Sequence, residues 1–116
     1  MSTDINFVDA SDNFRRISIS GRLDILGSDA IALKFTSLSV ATNQRVVVDL
    51  TAVSFLASIG IRAIISNAKA LQQRGGKMVL LVGDNTSVRK TLESTGIDTL
   101  IPMFTDAAAS DKAALD

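Results

Sequence analysis

The sequence lacks cysteine, histidine, tryptophan and tyrosine, and it has one proline among 116 residues. Without cysteine there is no disulfide, no thiolate nucleophile and no zinc–thiolate site. Without histidine there is no imidazole base, no serine–histidine triad and no histidine-bound metal. These absences argue against a hydrolase and a metalloenzyme. We therefore expect a protein that is not an enzyme and that has neither a cofactor nor a metal, although the composition leaves oxygen-ligated metals open.

An excess of charge of one sign is also missing, because 12 basic side chains balance 12 acidic ones. Nucleic-acid-binding proteins usually present a basic face with aromatic or arginine stacking platforms. Here phenylalanine supplies every aromatic ring. We expect no nucleic acid among the partners of this protein.

Targeting and membrane signals are not evident in the sequence. Segment 1–8 contains Asp4 and lacks the basic and apolar regions of a secretory signal. The apolar runs are far shorter than the roughly 20 residues of a membrane helix. We expect a cytoplasmic protein that does not insert into a membrane.

What the sequence does contain is enough apolar material for one domain, since 47% of the residues are hydrophobic. A chain of this length fits one domain well and two poorly. We therefore predict a single domain over residues 1–116.

The first part of the chain predicts an edge hairpin followed by a helix. Segment 5–8 and segment 14–23 are the two strands, and the second alternates apolar and polar residues with a period of two. The helix is predicted to open at Gly27–Asp29, with Ser28 or Asp29 as its cap, and to end at 42–44.

The rest of the chain alternates strands and helices. The β-branched run 45–50 is typical of a strand that is covered on both faces. The predicted strands are 45–50, 77–82 and 100–103, and the predicted helices are 58–74, 87–94 and one that begins after Thr105-Asp106. Segment 51–57 is expected to be a connector. The order β-β-α-β-α-β-α-β-α indicates an α/β fold with a mixed β-sheet of about four to five strands and four α-helices.

Ser58 is the most informative polar residue. It begins an amphipathic helix directly after a buried strand and a short connector, and Gly60 follows closely. A hydroxyl at this position lies at the positive end of the helix dipole, among free backbone N–H groups, with Gly60 expected to keep the surface open. A phosphate on Ser58 would accept hydrogen bonds from those groups. Serine is also a preferred N-cap, so the residue has a purely structural interpretation as well.

The segment Asp49–Ile61, with the sequence DLTAVSFLASIGI, resembles the signature of the STAS domain, the sulfate-transporter and anti-sigma-factor-antagonist family. The family pattern is a strand ending in Asp-Leu, a small connector with an aromatic residue, and Asp-Ser-Ser/Thr-Gly-Leu opening a helix. The tetrapeptide Gly21–Asp24, or GRLD, is similar to the Gly-x-Leu-Asp loop of the family. The resemblance spans essentially the whole chain and implies the STAS fold.

The resemblance also implies a function. In the stand-alone members, the serine at the position of Ser58 is phosphorylated by a switch kinase that is also an anti-sigma factor, of the histidine-kinase-like ATPase type. The unphosphorylated form binds this kinase, phosphorylation breaks the contact, and a metal-dependent serine phosphatase resets it. The residues that the resemblance assigns to partner binding are Gly21, Arg22, Leu23, Asp24, Ala57, Ser58, Ile59 and Gly60. Arg62, one turn into the helix, is a further candidate for contact with an acidic partner surface, and its alternative interpretation is a solvated surface residue.

Two positions depart from the family pattern. Ala57 stands where the family usually has aspartate, and Ile59 stands where it often has serine or threonine. These changes leave Ser58 as the single acceptor in the segment. They also leave open a STAS adaptor subunit of a transporter or stress-signalling complex that works by constitutive contact, without phosphorylation.

Loop 83–87 is the remaining candidate site. It joins a strand to a helix and has the position of a phosphate cradle, but it lacks the glycine and lysine spacing of a P-loop. Helix capping is the structural interpretation of this loop. A small α/β nucleotide-binding protein is the second alternative that it leaves open.

Overall fold

The computed structural model describes residues 3–116, and their elements follow the predicted order. The predicted domain 1–116 includes residues 1 and 2, which lie outside the described part. The strands are β1 (Asp4–Ser11), β2 (Phe14–Leu23), β3 (Arg45–Leu56), β4 (Lys77–Leu81) and β5 (Met103–Phe104). The helices are α1 (Ile25–Ser39), α2 (Ser58–Gln73), α3 (Thr86–Thr95) and α4 (Ala107–Leu115), and a short 3₁₀ helix covers Ile97–Thr99.

The five strands form one sheet in the order β1-β2-β3-β4-β5. Strand β1 pairs with β2 in the antiparallel sense, and the other three pairings are parallel. The turn of the β1–β2 hairpin contains Asn13 in the left-handed conformation, with φ of 63°, which asparagine tolerates well. The predicted mixed sheet and edge hairpin are confirmed.

The sheet has a core on each face. Alternate residues of β3 point to opposite faces, so Val46 and Val48 join one core and Val47 joins the other. The larger core contains residues of α1, α2 and α3, and the smaller one contains Ala114 of α4. Three helices therefore cover one face of the sheet, and the terminal helix covers the other.

Helix α1 begins earlier than predicted and ends earlier as well, at Ser39 rather than at 42–44. Its N-cap is Asp24, whose carboxylate accepts the N–H of Gly27 at 2.8 Å, so the helix starts at Ile25. Ser28 is buried inside the first turns and does not cap the helix. The prediction of Ser28 or Asp29 as the cap was wrong, because Asp24 supplies the acceptor one turn before them.

The prediction that segment 51–57 is a connector was wrong for all but its last residue, because β3 continues to Leu56. Its pairing with β2 shifts twice, between Ser18 and Ser20 and between Gly21 and Arg22 of β2. At the first shift, the Asp49 carboxylate accepts hydrogen bonds from the Thr51 N–H at 2.9 Å and the Thr51 hydroxyl at 2.6 Å. Such β-bulges let a strand keep pairing while its side-chain alternation is interrupted.

The last strand is also displaced from its predicted place. It covers Met103–Phe104 rather than 100–103, because the 3₁₀ helix after α3 extends to Thr99 and Leu100 closes it. Helix α4 begins after Asp106, which accepts the Ala109 N–H at 2.9 Å, as predicted. No helix within residues 3–116 combines the length and the apolar character needed to cross a membrane.

Candidate functional site

The two loops that the sequence singles out lie side by side where β2 and β3 end. Leu23 of β2 is in register with Leu56 of β3, and the Ala57 N–H donates to the Leu23 carbonyl at 3.0 Å. Strand β3 pairs with β4 only as far as Asp49, so its last residues extend beyond β4 together with the end of β2. The fold therefore brings segments 21–24 and 57–60 together at one end of the sheet.

Ser58 is the first residue of α2 and is exposed. The N-cap is Ala57, which has no side-chain acceptor to offer, so no side chain caps this helix. The three other helices all begin with a side-chain cap, from Asp24, Asn85 and Asp106. The structural interpretation of Ser58 as the N-cap is therefore wrong.

The start of α2 is consequently an open positive terminus. Helix macrodipoles place partial positive charge at their first turn, and the leading N–H groups need acceptors from outside the helix. The Gly60 and Ile61 N–H groups both reach the Ala57 carbonyl, at 3.0 and 3.2 Å. Within the described residues, the N–H groups of Ser58 and Ile59 have no acceptor and are open to water or a ligand, beside the exposed Ser58 hydroxyl.

Gly60 has a different role from the one expected, because it is buried rather than open to the surface. A Cβ built on Gly60 would lie 3.0 Å from both Leu23 Cβ and Leu56 Cδ1. The absence of a side chain thus lets the first turn of α2 pack closely against the ends of β2 and β3. Leu23 is only 2% exposed and lies in the same contact. Gly60 and Leu23 are therefore buried packing residues that keep segments 21–24 and 57–60 in contact.

Arg22 is fixed by two neighbours on the exposed side. Its guanidinium lies over the Phe55 ring at 4.5 Å from the centroid, and its Nε lies 3.2 Å from Asp24 Oδ2. The hydrogen bond from the Gly27 N–H, followed by the bond from Arg22, lowers the pKa of the Asp24 carboxyl. The preceding Gly21 has φ of 91°, which favours glycine. Asp24 therefore caps α1 and also positions Arg22.

Exposed apolar side chains surround this constellation. Phe55 and Ile59 are 42% and 37% exposed, and Ile25 and Leu26 in the first turn of α1 are 69% and 82% exposed. Ile25 and Leu26 are not among the residues predicted from the sequence. The available signal was an apolar pair directly after an aspartate that can cap a helix. We call Arg22, Asp24, Ile25, Leu26, Phe55, Ser58 and Ile59 the switch surface.

Arg62 is exposed on α2, four residues after Ser58. Residues four apart on a helix lie on the same face, about 5–6 Å apart at their Cβ atoms. Arg62 forms no ion pair within residues 3–116. Its guanidinium is therefore available to an anion at the start of the helix.

The polar groups of Asn85 in the 83–87 loop form hydrogen bonds within the fold. Asn85 caps α3 by accepting the Val88 N–H at 3.3 Å. Its amide nitrogen donates to the carbonyls of Leu50 and Val53, at 3.2 and 2.7 Å. The loop thus ties α3 to β3, in agreement with the capping interpretation. Within residues 3–116, no group of three acidic side chains is placed to hold a metal ion.

Two of three comparisons with known proteins gave matches. The sequence matches the family model of the STAS domain over residues 8–109. An anti-sigma factor antagonist from Mycobacterium paratuberculosis is 23% identical, with a TM-score of 0.85 over 99% of this chain and 96% of that one. No curated protein sequence matched.

SpoIIAA, an anti-sigma factor antagonist, is similar in two solved forms. Its unphosphorylated form is 19% identical, with a TM-score of 0.74 over 97% of this chain and 98% of that one. The phosphorylated form of SpoIIAA from Bacillus is 20% identical, with a TM-score of 0.67 over 95% and 99%. At these identities the structures show a common fold, and the family model covers most of the sequence. The chain belongs to the STAS domain family.

Proposed function

We propose that this protein is an anti-sigma factor antagonist that works by partner switching, with Ser58 as its phosphorylation site. In the unphosphorylated form it binds a serine kinase that is also an anti-sigma factor, and phosphorylation of Ser58 releases it. The observation that carries the proposal is the exposed Ser58 at the start of α2, the one α-helix of residues 3–116 that has no side-chain cap.

Chemistry at this position favours a phosphoserine. The phosphate adds about −1.5 to −2 charge and three strong acceptor oxygens. Those oxygens lie at the positive end of α2, beside the N–H groups of Ser58 and Ile59. Arg62, one turn along, offers a charged donor to the same anion. The chain contributes a hydroxyl and a binding site for the product, whereas the kinase contributes ATP and the base.

The switch surface suits a protein partner. Its exposed apolar side chains offer area to bury, and Arg22 and Asp24 form a polar rim beside them. A phosphate in the middle of such a contact disrupts binding, because a doubly charged group must lose its water there. The proposed partners are a kinase of the histidine-kinase-like ATPase type and a metal-dependent serine phosphatase, in the cytoplasm. Their client is a sigma factor or another regulated protein.

Similarity to SpoIIAA supports this assignment, since SpoIIAA is known in unphosphorylated and phosphorylated forms. The second candidate is a STAS adaptor subunit in constitutive contact with its partner. It is favoured by Ile59, an exposed apolar residue where the family often has a second hydroxyl. In that case the same surface binds a partner and Ser58 receives no phosphate.

The test is a phosphotransfer reaction with each kinase of this type encoded in the same genome. The protein is incubated with kinase and ATP, and phosphorylated residues are mapped by mass spectrometry. We expect transfer to Ser58, complete loss of transfer in S58A, and unchanged transfer in S54A and S66A, two exposed serines on β3 and α2.

Two outcomes would contradict the proposal. Stable binding of a kinase without transfer favours the adaptor. Phosphate on another residue of the wild-type protein, with S58A still a substrate, overturns the assignment of Ser58.

A further inference from the structure

A groove lies at the opposite end of the sheet from Ser58. It is bounded by the second half of α2, by Met78 of β4 and by segment 100–102, and it also touches Arg45 and Lys77, the first residues of β3 and β4. We call it the α2 groove. Ser58 and Lys69 are 11 positions apart on α2, which corresponds to about 16 Å along the helix axis. The proposed function uses none of the residues that line the groove.

The size and lining of the α2 groove are those of a small-molecule site. Its volume is about 380 Å³, within the range of about 300–1,000 Å³ for ligand pockets. Six apolar residues line it: Ile65, Ala68, Met78, Leu100, Ile101 and Pro102. Leu100 is 63% exposed at its edge. The groove therefore offers contact area to an apolar body.

The charges around the groove have one sign. Lys69, Lys77 and Arg45 line it, and no acidic residue does. Arg45 donates to the carbonyls of Ala114 and Asp116, so its guanidinium is occupied by the end of α4. Lys69 and Lys77 form no ion pair within the described residues. In a chain of zero net charge, this local excess favours an anion.

The other groups that line the α2 groove restrict the kind of anion that it can bind. No aromatic side chain lines the groove, so a nucleotide base has no stacking platform. The N–H groups of Gly76 and Lys77 already donate to Leu71 and Gln44, at 2.9 and 3.1 Å, so they form no phosphate cradle. What is available is an apolar trough with two ammonium groups.

We propose that the α2 groove binds an organic carboxylate with an aliphatic body, such as a medium-chain fatty acid. The aliphatic body of the ligand lies against Ile65, Ala68, Met78 and Ile101, and its carboxylate faces Lys69 and Lys77. Lys69, which lies on α2 between Ala68 and Gln72, is the principal charge contact. The site is independent of Ser58 and of any kinase, so the two proposals can fail separately.

The experiment is an NMR titration of the full-length protein with decanoate, below its micelle-forming concentration. Parallel titrations use decan-1-ol, which keeps the chain without the charge, and inorganic phosphate, which keeps the charge without the chain. We expect decanoate to shift the amides of Ala68, Met78 and Ile101 in a saturable way. We expect decan-1-ol to bind about fivefold more weakly than decanoate. We expect phosphate to leave the NMR resonances of these amides unshifted.

Variants of one exposed residue complete the test without a risk to folding. We expect K69Q to weaken decanoate binding about threefold and K69E to weaken it further, while decan-1-ol is unaffected. The matched control is K34Q, an exposed lysine of α1 that does not line the groove. Equal binding of decanoate and decan-1-ol, shifts that map elsewhere, or equal binding by K69E and wild type would overturn the proposal.

Discussion

The first turns of α1 and α2 are two versions of the same junction. Each helix begins just after one of two neighbouring parallel strands, and each has a glycine at its third position, Gly27 or Gly60. At α1, the Asp24 carboxylate accepts the Gly27 N–H. At α2, Ala57 has no side-chain acceptor, and the N–H groups of Ser58 and Ile59 have no acceptor within residues 3–116. The first turn of α1 is capped by a side chain of its own chain, whereas the first turn of α2 has no side-chain cap.

The two junctions share the role of their glycines and differ in the residue that precedes the helix. Both glycines let a helix pack against the end of β2, so neither serves as an opening in the surface. The functional difference lies in a single side chain, that of residue 24 or residue 57. In order of decreasing effect, three sets of variants test the packing of the two glycines and then the difference between residues 24 and 57.

The largest effect is expected from a methyl group at Gly27. A Cβ there would overlap the Arg22 carbonyl oxygen, a backbone atom that cannot rotate away. We expect G27A to lower the free energy of unfolding by about 3 kcal/mol. The same change at Gly60 meets its neighbours at 3.0 Å, and G60A should cost about 1 kcal/mol. Urea denaturation measures both losses, and equal losses would contradict the tighter backbone contact at Gly27.

A side-chain acceptor at residue 57 should close the open junction. We expect A57D and A57N to raise the free energy of unfolding by about 1 kcal/mol, because either side chain can accept an N–H of the first turn of α2. A57D gains further from the helix dipole. Thermal and urea unfolding measure the change, and L33N, at an exposed position of α1 outside the junction, is the control for a surface asparagine. No gain in either variant would mean that the terminus is already satisfied.

The smallest effect is the pH dependence of the closed junction. The pKa of Asp24 in the folded protein lies below its ordinary value of 3.8. Its contribution to stability is therefore complete above that value and is lost as the pH falls through it toward the folded pKa. We expect the thermal midpoint of D24N to fall less steeply than that of wild type between about pH 5 and pH 2. Parallel profiles would contradict the role of the carboxylate.

Much of the architecture could be predicted because its periodicity is local. The run 45–50 is apolar on both faces of a strand, and Ile61, Ile64 and Leu71 form a helical stripe that is buried as expected. The alternation of such segments is sufficient to predict an α/β fold and the position of Ser58 at a helix start.

The misplaced boundaries have physical causes that are not local. The bulges of β3 interrupt its period, so 51–56 does not look like a strand. The start of α1 could not be predicted from its apolar pattern, because the apolar residues Ile25 and Leu26 of its first turn are exposed and do not contact the core. The α2 groove combines residues from four distant segments, and only the tertiary structure brings them together.

In the proposed switch, a phosphate at the start of α2 controls the affinity for a partner. The most direct measurement is the dissociation constant of the kinase complex with three proteins: the unmodified chain, the chain with phosphoserine at 58, and the chain with phosphoserine at 66. We predict that phosphate at Ser58 weakens binding at least about tenfold, and that phosphate at the exposed Ser66 has little effect. Equal affinity of the Ser58-phosphorylated and unmodified chains would contradict the account.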